Sequence, residues 1–237
     1  MTTPLAGQLA LVTGASRGIG AATAHSLAAR GAHVILTGRD TKALEGVEEA
    51  IHNAGGKATI APLDLTEPDA IARLASAIGE RWNALDILVI NAGVLPTLTP
   101  VIDIDGKALN KAIATNVLAT QALLACFHPL LKRSSDARVV GLTTSVAPDP
   151  RAFWGAYAAT KAAQEVLLDC YAQENRNISR IRVAIVNPGA TRTAMRARAY
   201  PGENPASVKP PKVVGEAIAE LILGDFPSPH RMTVNPN

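Results

Sequence analysis

Tyr157 and Lys161 stand four residues apart in Tyr157-Ala158-Ala159-Thr160-Lys161. On a helix that spacing puts both side chains on one face. A phenol has an ordinary pKa of about 10. An ammonium a few ångströms away favours the phenolate and lowers that value. Such a pair can exchange a proton with a substrate oxygen near neutral pH. Taken alone the spacing is weak, because tyrosine and lysine meet this way on many solvated helices. Position in the chain, between two apolar runs, gives it weight. Ser145 lies twelve residues before the tyrosine and Thr144 thirteen, so either hydroxyl could serve the same oxygen.

A second constellation is Thr13-Gly14-Ala15-Ser16-Arg17-Gly18-Ile19-Gly20, between an apolar run and a helical pattern. Glycines there let the chain turn sharply and let a phosphate approach the backbone. The phosphate then meets the N–H groups and the positive end of the following helix. The spacing is G-x-x-x-G-x-G rather than the commoner G-x-G-x-x-G. The bland alternative is a tight turn that binds nothing, but a strand on one side and a helix on the other favour the phosphate.

Positioning these groups requires a scaffold, and the apolar pattern supplies one. Short runs rich in Val, Ile and Leu fall at Leu9–Thr13, His33–Thr37, Ala58–Pro62, Ile87–Ile90, Val139–Leu142 and Val183–Val186. Between them lie longer segments at helical period, such as Ile19–Arg30 and Ala70–Trp82. Continuous apolar strands separated by helices predict an α/β fold: a Rossmann-type, doubly wound parallel sheet with helices on both faces. No repeat, low-complexity tract or linker divides the chain, so residues 1–237 are expected to form a single domain. The densest loop signal is Tyr200–Pro211, with four prolines and a glycine, read as a late, mobile loop.

Composition excludes several classes. Charged residues are 18% of the 237, too few and too balanced by 48% hydrophobic residues for a disordered chain. Two Trp, three Tyr and three Phe are few for a stacking platform, and a net charge of +3 is too mild to call for a polyanion, so no nucleic-acid partner is expected. No membrane partner is expected, since no apolar stretch free of charges reads as a span. The N-terminus lacks the basic region and apolar run of a secretory signal. Cys126 and Cys170 make neither a disulfide framework nor a zinc site, which fits a reducing, cytoplasmic setting. The five histidines lack ligand spacing, so no metal is expected; His25, His33 and His52 read as surface residues. The cysteines read as buried small apolar groups on helical patterns.

The motifs in this order resemble the short-chain dehydrogenase/reductase family over essentially the whole chain. The resemblance implies an oxidoreductase that moves a hydride between a nicotinamide cofactor and a carbonyl or alcohol substrate. Gly14, Ser16, Arg17, Gly18, Ile19 and Gly20 would cradle its phosphates. Asp64 and Leu65 resemble the family's adenine contact, and Asn91-Ala92-Gly93 resembles the motif that shapes the cofactor floor. Pro188-Gly189 with Thr191 and Thr193 resembles the segment that holds the nicotinamide end. Tyr157 would be the general acid/base, Lys161 would tune it and hold the nicotinamide ribose, and Ser145 would hydrogen-bond the reacting oxygen, with Thr144 as the register alternative. Asn116 resembles the asparagine that holds a water near the lysine; the alternative is a helix-interior residue bonding its own backbone.

Family members that prefer NAD carry an acidic residue where this chain has Gly38. Arg39 follows it, and Arg17 lies in the glycine-rich turn. Guanidinium suits a 2′-phosphate, so NADP(H) is expected over NAD(H). Asp40 opposes this, as a carboxylate beside Arg39. Phe153 and Trp154 would wall the substrate pocket or pack on the helix below. The opposite wall would be the substrate loop at about 190–211, where Arg192, Arg196 and Arg198 could meet an anionic substrate or form a solvated face. The resemblance also implies a homodimer or homotetramer. The usual acidic-Gly-Gly ending is missing and the last apolar run is only Met232-Thr233-Val234, which weakens the tetramer contact made by a seventh strand. Competing readings are an NAD-dependent alcohol dehydrogenase of the same family and a non-catalytic, NADP-sensing regulatory protein.

Overall fold

A computed structural model describes residues 3–235. The first half alternates β1 (Leu9–Thr13), α1 (Gly18–Ala28), β2 (His33–Gly38), α2 (Thr41–Asn53), β3 (Lys57–Pro62), α3 (Ala70–Arg81) and β4 (Ile87–Ile90). A long helix follows, made of α4 (Gly106–Ala112), a π-helical segment (Ile113–Leu118) and α5 (Ala119–Leu131). The second half is β5 (Ala137–Leu142), α6 (Gly155–Asn175), β6 (Ile181–Asn187), α7 (Ala194–Ala199), α8 (Pro211–Leu223) and β7 (His230–Thr233).

The strands form one parallel sheet in the order β3-β2-β1-β4-β5-β6-β7. Period-two alternation sends each strand's apolar residues to two cores. Ala10, Val12, Ile87 and Val89 pack with Leu27 of α1, Leu44 of α2 and Ile218 of α8. Leu9, Leu11, Leu88 and Ile90 pack on the other face with Ile78 of α3, Phe127 of α5 and Leu168 of α6. This is the doubly wound, Rossmann-type domain expected from the sequence. Its chain reverses direction across the sheet between β1 and β4, and such a switch point opens a crevice at the C-terminal strand ends.

The structure departs from the sequence reading in five places. A seventh strand does form: β7 pairs parallel to β6 with Ile185 opposite Arg231. As an edge strand it alternates half-buried and exposed residues, which erases the apolar run that marked the others. The segment 190–211 is not a bare loop; it holds α7 and a bridge between Thr191 and Lys209. Cys170 is exposed and Cys126 half-buried, since Cys170 lies one turn from exposed Val166 on the outer side of α6. His25 and His33 are half-buried, and His33 bonds Thr59 Oγ1 at 2.9 Å and meets the Trp82 ring edge-on. Finally, Gly106–Leu131 is by length and composition a helix apolar enough to cross a membrane. In this fold its Leu123, Phe127 and Leu131 are buried in the core beneath the sheet.

Candidate active site

The glycine-rich turn lies at the C-terminal end of β1 and is held from both sides. The Ala15 N–H donates to Thr37 O of β2 at 3.0 Å. Asn91 Nδ2 donates to Thr13 O at 2.8 Å and to Gly14 O at 3.2 Å, tying the end of β4 to the turn. Thr13 Oγ1 accepts from the N–H groups of Asn91 and Ala92, both at 3.0 Å. Gly14 has φ +65°, a left-handed conformation, and a Cβ there would stand 3.0 Å from Ala92 Cα. A Cβ on Gly20 would collide with the Gly14 carbonyl. The start of α1 has no side-chain cap and no acidic residue in its first turn, so its N–H groups face the crevice unclaimed by side chains. Ile19 packs on the core below, and the Gly18 position lies against Thr193.

At the ends of β2 and β3 a cleft of about 640 Å³ is lined by Arg39, Leu63, Asp64, Arg73 and Leu74. Arg39 approaches Asp64 Oδ2 at 3.9 Å and stays largely exposed. Asp64 Oδ1 accepts from the Thr66 N–H and hydroxyl, which hold its carboxyl below the usual range, with Arg39 adding to the effect. Asp40 stands beside Arg39 at the start of α2. Its carboxylate caps α2, accepting from the Ala43 N–H at 3.1 Å. Leu65 packs on the second core. A further concavity, about 710 Å³ and lined by Asp136, Arg176 and Arg182, lies where β5 and β6 begin, at the opposite end of the sheet.

Tyr157 and Lys161 lie in the first two turns of α6, and both are buried. Their electrostatics differ from the sequence expectation. Burial pushes the Tyr157 phenol up to about 12. Burial lowers Lys161 to about 8, against an upward pull from Glu165. The ammonium does not lower the phenol because it faces elsewhere. Its Nζ donates to Leu142 O at 2.6 Å and to Gln164 Oε1 at 2.5 Å. The Tyr157 hydroxyl contacts Met195 Sδ at 3.9 Å. A phenol in this state keeps its proton and can donate it.

Asn116 is fully buried in the π-helical segment. It does not bond its own helix through its side chain. Oδ1 accepts from the Val94 N–H at 2.9 Å, and Nδ2 donates to Val94 O and Thr160 Oγ1, both at 3.0 Å. A Cβ on Gly93 would stand 3.3 Å from Asn116 Oδ1 and 3.9 Å from Lys161 Nζ, so these three positions meet. Ser145 is exposed beyond β5, and Arg151 reaches its Oγ at 3.4 Å. Thr144 is half-buried and its Oγ1 accepts weakly from the Val146 N–H at 3.5 Å, leaving Ser145 the more open hydroxyl.

The surroundings of Tyr157 are apolar: Leu95, Val146 and Ala158, with Leu98, Trp154, Met195 and Ala199 packed against them. Trp154 stands between Tyr157 and Tyr200, with centroids 6.1 and 5.9 Å away. Phe153 instead turns outward, with φ +73° and 57% exposure. A side chain in that conformation stores strain. Its carbonyl accepts from the Thr99 N–H at 3.2 Å, which fastens the loop after β4 to the one before α6.

Gly189 turns with φ +62° after Pro188, and Thr191 Oγ1 donates to Pro188 O and Gly189 O. Thr193 caps α7. Arg196 is committed to Glu203, through Nε at 2.8 Å and Nη2 at 2.6 Å, and lies over the Tyr200 ring at 3.7 Å. Arg198 donates to Leu95 O at 3.1 Å. Arg192 stays exposed. Sequence reasoning named Thr13 only as the start of the glycine-rich run and missed its role in holding Asn91 and Ala92. It missed Leu95, Val146, Gln164 and Met195 altogether.

The sequence pattern of the short chain dehydrogenase family matches residues 8–204. The uncharacterized oxidoreductase YciK of Escherichia coli K12 is 38% identical over 207 residues, covering 86% of this chain and 81% of that one. A structure described as a short chain dehydrogenase of Shigella flexneri complexed with NADP superposes with a TM-score of 0.94 at 34% identity, covering 100% of both chains. One from Escherichia coli CFT073 complexed with NADPH gives 0.92 at 34% identity, again over 100% of both.

Proposed function

The chain belongs to the short chain dehydrogenase family, and from that premise we propose that it is an NADP(H)-dependent reductase of an apolar carbonyl compound. The observation that carries the reading is the buried Tyr157, set in an apolar pocket beside the crevice where β1 and β4 diverge. The residues present fit a dinucleotide. The uncapped start of α1 and the glycine cradle of Gly14, Gly18 and Gly20 suit a pyrophosphate. Arg17 and Arg39, both exposed, suit a 2′-phosphate, and Gly38 places no carboxylate at the end of β2 itself. Two structures similar to this chain are described with NADP and NADPH. Asp64 and Leu65 would flank the adenine, Asn91, Ala92 and Gly93 would floor the site, and Pro188, Gly189, Thr191 and Thr193 would hold the nicotinamide end.

When bound, the nicotinamide supplies the hydride. The chain's own residues manage the substrate oxygen. Tyr157 donates its proton to that oxygen as charge builds there. Ser145 hydrogen-bonds the same oxygen and stabilises the developing charge. Lys161 brings an ammonium to the ribose side, and Asn116 holds the Val94 backbone beside it. Trp154, Met195 and Leu95 exclude water from the carbonyl carbon. Beyond them, Phe153, Val101 and Ile102 offer an exposed apolar lip on which the rest of the substrate can lie. Residues 1–237 act as one NADP-binding unit, with 190–211 as the substrate wall, and two copies pair through the outer faces of α5 and α6. The unpaired cysteines suit a cytoplasmic location.

Cofactor choice is tested by fluorescence titration. NADPH should bind tighter than NADH by roughly two orders of magnitude, since each charge-assisted contact is worth about 1.5–3 kcal/mol. Arg39→Asp should remove most of that difference. Equal affinity for the two in the wild type would instead favour an NAD-dependent alcohol dehydrogenase.

A further inference from the structure

Lys161 is 3% exposed, so its ammonium depends on the acceptors around it. Two are present: the Leu142 carbonyl at the end of β5 and Gln164 Oε1, one turn along α6. Gln164 is itself buried, and its Nε2 has no hydrogen-bond partner among the described residues. A buried amide donor without a partner is costly and calls for an explanation. Turning the amide over would not help, because an ammonium only donates and would then face a second donor.

The other polar groups nearby are engaged elsewhere. Glu165 accepts from the Thr143 hydroxyl and pairs with Arg231 of β7 at 2.5 Å. Arg231 also pairs with Asp169. The Asn116 side chain serves Val94 and Thr160, and Tyr157 faces Met195. Among the described residues Gln164 is therefore the side chain that receives the Lys161 ammonium, and Glu165 is the charged group whose field reaches it.

We propose that Gln164 is a positioning residue that keeps Lys161 charged and directed towards the end of β5, and so sets the pH range in which the lysine can serve the ribose side of the site. A neutral acceptor supports the ammonium in a dry site without fixing it in an ion pair. Its second amide group is left unpaired because the oxygen must face the lysine. The inference rests on the reading of Lys161 as a cofactor-side residue, although the hydrogen bond itself does not.

The direct test is an NMR titration of the Lys161 Cε resonance in the ligand-free protein, assigned by its loss in Lys161→Met. Gln164→Leu should lower the midpoint by about one pH unit, and Gln164→Glu should raise it by about as much. NADPH affinity should lose its alkaline limb at correspondingly lower and higher pH. If Gln164→Leu does not fold, Gln164→Glu and Gln164→Met carry the comparison. A midpoint unmoved by any folded variant overturns the inference. Wild-type protein that binds no NADPH at any pH overturns the functional reading instead, and the Cε midpoints still decide the role of Gln164.

Discussion

Tyr157 and Lys161 are pulled in opposite directions by the same cause. Burial disfavours the charged form of each, raising the phenol to about 12 and lowering the ammonium to about 8. The consequence for stability follows from proton counts. Between about pH 8 and 10.5 the unfolded chain holds the lysine's proton more firmly than the folded one, so stability rises with pH through that window. Between about pH 10 and 12 the folded chain keeps the phenol's proton that the unfolded chain loses, so stability falls. Lys161→Met removes the first effect alone. In thermal melts the wild type should therefore gain on this variant between about pH 7 and pH 10. A constant difference would show that Lys161 titrates normally in the fold.

At the level of elements, the π-helical segment carries the fully buried Asn116. Its extra residue turns Asn116 inward, where one side chain pairs both backbone groups of Val94. Asn116→Ala leaves those groups unpaired and should cost about 1–3 kcal/mol in chemical denaturation, with weaker NADPH binding. Unchanged stability would mean that the Val94 strap is not under load. Nothing in Ile113–Leu118 announces this distortion, because a single-turn change of helix type leaves the apolar period almost intact. The strands were legible for the opposite reason. β1 and β4 are buried on both faces and read as unbroken apolar runs with the bounds the structure has. β7, at the sheet edge, lost that signal. The site's named motifs were readable because turns and phosphate cradles demand particular residues. Gln164 and Glu165 were not, since a polar residue on a helix reads as surface until the packing around it is known.

For the molecule as a whole, the apolar groups the fold leaves uncovered are unevenly placed. Val101, Ile102 and Phe153 lie in the segments after β4 and before α6, which are fastened together at Thr99 and Phe153. Leu118 and Val166, each 60% exposed, lie on the long helix and on α6, with exposed Cys170 one turn beyond Val166. The proposed homodimer would cover this second group. Sedimentation should find the wild type as a dimer, and the double variant Leu118→Glu, Val166→Glu should shift it to monomer. A monomeric wild type would remove the dimer from the account.

The central claim is that the chain reduces a carbonyl with NADPH through Tyr157. Its most direct test is a panel of apolar aldehydes, ketones and quinones incubated with NADPH and followed at the nicotinamide absorbance band. The account predicts NADPH consumption with at least one of them. In Tyr157→Phe that turnover should fall by about two to four orders of magnitude while NADPH still binds. Full turnover in Tyr157→Phe, or tight NADPH binding with no consumption across the panel, would contradict it, the latter pointing to a cofactor-sensing protein.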